Sequence, residues 1–183
     1  MSPAGGAAFQ VRHGRYAGES RVLDESDPSG GAFVSETRVR TFPHCYVCGA
    51  ENKAGLHVPF SPDPAGGSRA EYVAQPEHVG WPGIIHGGLL FTLMDEAVAS
   101  ACTFAGLYCV TAKADARFRV SARVGMRLVI TGRITFSSQR AVRARAEIRA
   151  GSDTGDILAE LEAMMAITDP ARFDMEARDG RQP

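Results

Sequence analysis

The residues best suited to chemistry lie in the segment 83–97, which contains the triplet His86, Gly87 and Gly88 followed by Asp95. Asp95 stands among apolar and small residues, where a buried carboxylate is costly unless it is paired or used. A carboxylate can act as a general base on water or attack directly as a nucleophile. Gly87 opens a predicted helix, so its unpaired backbone N–H and the positive end of the helix dipole suit a developing oxyanion. Together these groups could activate water or attack an electrophilic centre and stabilise the negative charge that develops there.

The spacing of these two groups carries a prediction of its own. Asp95 follows Gly87 by eight positions, which is roughly 12 Å along a helix at about 1.5 Å per residue. One carbonyl group cannot contact both ends of that segment. If both residues serve one substrate, Gly87 must come from one subunit and Asp95 from its partner. The spacing therefore predicts a homodimer with two equivalent sites, and it leaves a homotetramer open.

The elements that must position these residues can be predicted from the hydrophobic pattern. Residues 89–105 are apolar or small at nearly every position, which predicts one buried helix. After this helix the hydrophobic period changes from that of a helix to that of strands, and four long one-sided strands are expected. Residues 56–60 and 69–75 predict two shorter strands, and residues 76–83 predict a loop. The result is an α+β domain whose antiparallel sheet folds around the helix.

Composition limits the classes of partner. The chain has 183 residues, 44% of them hydrophobic, and a formal net charge of -1, so neither nucleic acid nor a membrane is expected as a partner. The four cysteines do not suggest a disulfide framework, and a cytoplasmic location is expected. We predict a flexible extension over residues 1–40, a domain over residues 41–169 and a loose tail over residues 170–183.

The segment 83–97 resembles the signature of the hotdog-fold thioesterases, in particular the PaaI-like and THEM-like acyl-CoA thioesterases. The resemblance extends to Cys45 and Cys48 on one side and to Val124 and Gly125 on the other, and it covers residues 41–168. It implies a long central helix wrapped by a curved antiparallel sheet of five to six strands, in a homodimer or homotetramer. It also implies hydrolysis of an acyl-CoA or acyl-phosphopantetheine thioester without a cofactor.

Further residues are candidates for the site. Thr111 stands where related thioesterases place a Thr or Ser that positions water or substrate, although an ordinary strand threonine is an equal alternative. Glu96 is a second acidic candidate but points about 100° away from Asp95 around the helix. His86 is expected mainly to cap the start of the helix, since a ring nitrogen can accept a backbone hydrogen bond. In the strand over residues 108–120, even-numbered positions are expected to share one apolar face, with Thr111 opposite.

The remaining substrate-binding candidates surround this motif. Gly88 allows a substrate to approach the backbone closely, and Trp81 can line a pocket from the loop before the helix. Arg140, with Arg133 and Arg143, is a candidate for contact with the nucleotide of coenzyme A, although charged strand faces are usually solvated. Several relatives carry an Asn or Gln that contacts the carbonyl six positions before the His. This chain has Gly80 there, so the second oxyanion donor is unassigned.

Cys45 and Cys48 form a Cys-x-x-Cys pair that can bind zinc or carry redox chemistry. Zinc normally requires four ligands, and the spacing of His44 and His57 fits no common zinc-finger pattern. The resemblance places this pair before the first strand and away from the catalytic centre. We therefore predict no metal site.

Two other activities compete with thioester hydrolysis. A hotdog hydratase or dehydratase would need a His five positions after the Asp, and this chain has Ser100 there. A non-catalytic acyl-CoA-binding protein would not need Asp95 in an apolar helix. Whether the acyl group is carried by coenzyme A or by a carrier protein is left open.

Overall fold

A computed structural model describes residues 42–169. The predicted extension over residues 1–40 and the predicted tail over residues 170–183 lie outside these described residues. The elements are β1 (Ser61–Pro62), β2 (Ser68–Val73), a 3-10 turn (Pro76–His78), β3 (Val79–Trp81), β4 (Ile84–Ile85), α1 (Gly87–Phe104), β5 (Cys109–Phe118), β6 (Arg127–Ser137), β7 (Ala141–Ala150) and β8 (Ile157–Ile167).

Six of the strands form one antiparallel sheet in the order β1-β2-β6-β7-β8-β5, and β3 pairs with β4 in a separate hairpin. The alternation of β7 shows which face meets the helix. Val142, Ala144, Ala146 and Ile148 are buried, whereas the charged residues between them are exposed or half-buried. The predicted α+β architecture, one central helix against an antiparallel sheet, is confirmed. Among residues 42–169, no helix has the length and apolar character that crossing a bilayer requires.

Helix α1 begins and ends with recognisable signals. His86 is its N-cap, and Ala105 is its C-cap. Gly106 follows with φ 73°, a left-handed conformation that glycine adopts without strain. The Gly106 N–H donates to Thr103 and the Leu107 N–H donates to Cys102, which is the Schellman pattern of a helix end.

One face of α1 packs on the sheet so closely that the contact requires glycine. A Cβ added to Gly132 of β6 would lie 2.3 Å from the carbonyl oxygen of Ala97. The Ser68 hydroxyl, which is fully buried, donates to the same oxygen over 2.6 Å. The side chains on this face are at most 3% exposed. They belong to Leu90, Leu93, Met94, Ala97, Val98, Ala101 and Cys102. The side of α1 that carries Asp95 and Glu96 is only half-buried, so the helix is not buried all round in one protomer.

Two predicted elements before the helix are wrong. Residues 56–60 do not form a strand of the sheet, because the N–H groups of Leu56 and Val58 donate to the carbonyls of Tyr46 and Val47. This pairing closes residues 42–58 into a compact segment, which we call the cysteine loop. Residues 76–83, predicted as a loop, contain the 3-10 turn and strand β3.

The single alternation predicted for residues 108–120 is also wrong. Thr111 lies opposite Met165 and Lys113 lies opposite Met164, so Ala112 is an extra residue that forms a β-bulge. The bulge changes which face each side chain occupies, and Val110 is 47% exposed. β5 is an edge strand that pairs only with β8 in the sheet.

Candidate active site

The start of α1 leaves one backbone donor available. Nδ1 of His86 accepts a hydrogen bond of 2.9 Å from the Gly88 N–H. The His86 carbonyl accepts from Leu89 and Leu90 at 3.0 and 3.4 Å. Among the described residues, no acceptor contacts the N–H of Gly87. The helix start therefore presents the Gly87 N–H, at the positive end of the dipole, to an incoming oxygen atom.

His86 acts as the predicted cap, and its surroundings explain the unusual residue at Gly80. The His86 N–H donates to the His78 carbonyl over 2.8 Å, which joins the helix start to the 3-10 turn. A Cβ added to Gly80 would lie 3.0 Å from Cδ2 of His86. The Asn or Gln expected from the resemblance would therefore need the imidazole ring to move. Gly80 supplies no second side-chain donor for an oxyanion.

Asp95 and Thr111 form the second half of the candidate site. The Thr111 hydroxyl donates to Oδ1 of Asp95 over 2.7 Å and lies 3.5 Å from the sulfur of Met165. The bulge at Ala112 places Thr111 on the helix side of β5. Asp95 is half-buried, and among the described residues no basic side chain pairs with it. The arrangement leaves the other carboxylate oxygen, Oδ2, for a water molecule or a substrate.

The two halves lie at different places along one continuous helix. Helix α1 is unbroken from Gly87 to Phe104, so the Gly87 N–H and the Asp95 carboxylate remain roughly 12 Å apart along its axis. Phe118 lies over the start of the helix, with ring atoms 3.7 Å from the position of a Cβ on Gly87. Within one protomer these two groups cannot act on the same carbonyl carbon.

Glu96, predicted as a substrate-binding residue, points away from Asp95 and Thr111. Its Oε2 atom lies 3.6 Å from Sγ of Cys45 in the cysteine loop. The nearby Cys48 thiol is half-buried, and burial, followed by a hydrogen bond to Glu96 and its negative charge, raises the pKa of Cys48 well above the ordinary value. The sequence indicated that Glu96 leaves Asp95 at a large angle, but not that it meets the two cysteines.

The other predicted substrate-binding residues are dispersed. Trp81, on β3, is 76% exposed. Arg140 lies in the turn between β6 and β7, where its carbonyl accepts from the Ile167 N–H over 3.0 Å. Because Ala141 and Val110 both pair with Ala166, Arg140 lies at the same end of the sheet as Thr111.

The other two arginine candidates lie on the sheet face turned away from α1. Arg133 donates to Asp63 over 3.3 Å, and Arg143 lies 5.9 Å from the ring centre of Phe136. An open groove of about 1030 Å³ on this face is lined by residues that include Arg69, Arg133 and Arg145. Neither Asp95 nor Gly87 lines this groove. Both residues belong to α1, which packs on the opposite face of the sheet.

The family comparison points to the same part of the chain. Residues 82–156, which include α1 and β5 to β7, match the family model of the thioesterase superfamily. No curated protein matches the sequence.

Solved structures show the same fold. A crystal structure described as a thioesterase superfamily protein superimposes with a TM-score of 0.63 at 23% identity, over 68% of this chain and 60% of that one. A hypothetical thioesterase of Streptococcus pneumoniae, solved with coenzyme A, has a TM-score of 0.56 at 19% identity, over 61% and 85%. The PaaI protein of E. coli, from the phenylacetic acid degradation operon, has a TM-score of 0.56 at 21% identity, over 61% and 83%. Residues 42–169 therefore have the hotdog fold of these thioesterase structures, and residues 82–156 within them match the thioesterase superfamily model.

Proposed function

We propose that the protein hydrolyses an acyl-CoA or acyl-carrier thioester to a free acid and a thiol. The proposal rests mainly on the hydrogen bond between Thr111 and Asp95 of α1. The start of the same helix presents the Gly87 N–H, which has no acceptor among the described residues. The solved relative with coenzyme A has the same fold, and this supports coenzyme A as the carrier. A thiolate is a good leaving group because a free thiol has a pKa of only about 8.5.

In the proposed reaction Asp95 acts as a general base or as a nucleophile, and the Thr111 hydroxyl holds one of its oxygens. As a base, Asp95 takes a proton from water while the water oxygen bonds to the carbonyl carbon. The carbonyl oxygen gains negative charge and accepts a hydrogen bond from the Gly87 N–H of the second subunit. The tetrahedral intermediate then collapses with cleavage of the C–S bond, and the thiolate takes up a proton.

The second subunit is proposed to join along β5. An edge strand exposes a row of unpaired backbone groups, which natural proteins cover or pair. β5 has ten residues, and its apolar residues Val110 and Phe118 are 47% and 51% exposed. Pairing of two β5 strands about a two-fold axis would satisfy these backbone groups and cover these side chains. Such a dimer would contain two sites, each with Asp95 from one chain and Gly87 from the other.

Thiol release from a panel of acyl-CoA esters tests the proposal. We expect the wild type to release thiol and Asp95→Asn to lower kcat by about 100-fold or more, since general-base catalysis contributes roughly 10²–10⁴. Asp153→Asn is a matched control that should keep wild-type activity, because Asp153 is an exposed carboxylate between β7 and β8 that pairs with Arg69. Equal activity of the wild type and Asp95→Asn would refute the role of Asp95. Tight binding of an acyl-CoA without turnover would identify a binding protein instead.

A further inference from the structure

A second set of reactive side chains, outside the proposed catalytic pair, lies between the cysteine loop and α1. Cys45, Cys48 and Glu96 each offer one ligand atom, and these three atoms all lie within 4.8 Å of one another. The distance from Sγ of Cys45 to Oε2 of Glu96 is 3.6 Å. Tetrahedral zinc with Zn–S near 2.3 Å and Zn–O near 2.0 Å requires an S···O separation of about 3.5 Å. The two side chains are already at the separation that one zinc ion would impose.

Backbone contacts fix the conformation of the turn that contains the two cysteines. The Val47 N–H donates to Sγ of Cys45 over 3.3 Å, and such a bond favours a thiolate that ligates a metal. The Gly49 N–H donates to the Cys45 carbonyl over 3.0 Å. A Cβ on Gly49 would lie 2.5 Å from backbone atoms of Cys45, so the turn requires glycine here. The Cys45 sulfur and the backbone of the turn are therefore held by these contacts.

The charges of this cluster favour a cation. Among residues 42–169, no Lys, Arg or His side chain forms an ion pair with Glu96. The carboxylate and the two thiols are half-buried together. A bound divalent cation would offset the negative charge of the carboxylate and of the coordinated thiolates.

We propose that Cys45, Cys48 and Glu96 bind one zinc ion, with the fourth position taken by water or by an added ligand. Zinc is favoured because it accepts both thiolate and carboxylate ligands in a tetrahedral arrangement. The ion would join the cysteine loop to α1 one residue after Asp95. This proposal does not depend on thioester hydrolysis, and its test does not measure activity.

The test measures metal content and the ligand spectrum of the full chain under reducing conditions. We expect the wild type to retain about one equivalent of zinc after dialysis, as a single tetrahedral site requires. Replacement by cobalt should give thiolate-to-cobalt absorption and the intense visible bands of tetrahedral cobalt. Cys45→Ser and Cys48→Ser should each lose the metal and these bands. Glu96→Gln should bind zinc at least about tenfold more weakly.

Cys109→Ser is the matched control, because Cys109 is a half-buried thiol outside the cluster. It should retain zinc as the wild type does. Circular dichroism of each apo variant separates loss of a ligand from loss of the fold. Absence of stoichiometric metal in the reduced wild type would overturn the proposal, as would equal zinc affinity of the wild type and the folded Cys48→Ser variant. A Cys45–Cys48 disulfide in the isolated protein, with no zinc uptake after reduction, would also overturn the zinc proposal. The two cysteines would then be a redox pair.

Discussion

At the start of α1, one side chain determines which backbone group stays available. Because Nδ1 of His86 accepts from Gly88, the helix presents the Gly87 N–H alone, rather than two adjacent donors. The capping role of His86 is compatible with the catalytic role proposed for the Gly87 N–H. Replacing the imidazole would change two things at once, the stability of the helix start and the number of free N–H groups.

The role of the Gly87 N–H can be tested by removing only that hydrogen. Proline is favoured at the first helical position, and His86 has the extended backbone (φ -62°, ψ 131°) that a following proline requires. We expect Gly87→Pro to lower kcat by about 100-fold or more, as for loss of an oxyanion donor. Gly87→Ala keeps the N–H and adds a Cβ in ordinary contact with Phe118, so it should lose far less activity. Similar kinetics of the two variants would contradict the assignment.

Thr111 is proposed to position the Asp95 carboxylate through the 2.7 Å hydrogen bond. Thr111→Val keeps the side-chain shape but removes this bond, and we expect kcat/KM to fall roughly tenfold or more, since a hydrogen bond to a charged group is worth about 1.5–3 kcal/mol. Thr111→Ser retains the hydroxyl and should restore most of the activity. Steady-state kinetics of the two variants provide the measurement. A serine variant as slow as the valine variant would indicate a packing role instead.

The residue contacts were only partly predictable from the sequence. The spacing of helical residues correctly placed Glu96 away from Asp95, because that angle follows from local geometry alone. The meeting of Glu96 with Cys45, which is 51 positions away, depends on how the cysteine loop folds back. No local pattern contains that information. The Asp95–Thr111 bond likewise depends on the bulge at Ala112, which the apparent alternation of the strand conceals.

Among the secondary-structure elements, α1 and the four strands after it were predictable because each has a long and consistent hydrophobic period. The short segments before the helix were not. Residues 56–60 have the composition of a strand, but their backbone donors are used by the cysteine loop. The β3–β4 hairpin has only five residues in its strands, too few for a period to show. Tertiary pairing decides the structure of such short segments.

The contact of α1 with β6 predicts a stability effect. We expect Gly132→Ala to lower the free energy of unfolding by about 1–3 kcal/mol, because overpacking forces the backbone apart. In urea unfolding, the midpoint concentration should fall, while the slope of the unfolding free energy against urea concentration stays unchanged. Adding Ser68→Ala should not restore stability, since the closest atom to the new methyl group is the Ala97 carbonyl oxygen at 2.3 Å. Full recovery in the double variant would show that the serine, not the helix backbone, limits the space.

At the scale of the whole molecule, the proposal requires each site to be shared between two chains. Mixed dimers test this directly. Asp95→Asn and Gly87→Pro should each be inactive alone, but a mixed dimer contains one site with both groups intact and one with neither. Co-expression with random pairing should therefore restore about one quarter of the wild-type activity. No recovery, with mixed dimers demonstrated by affinity tags, would place both groups in one chain.

The cysteine loop has a consequence for how this domain tolerates change. Its backbone hydrogen bonds among the described residues join positions within residues 42–58, so the ladders of the main sheet do not depend on it. Val47, Leu56 and Val58 nevertheless insert into the common core. A segment that is closed in its own backbone can change sequence at its exposed positions as a unit, while the helix and sheet keep their register as long as these core side chains are kept.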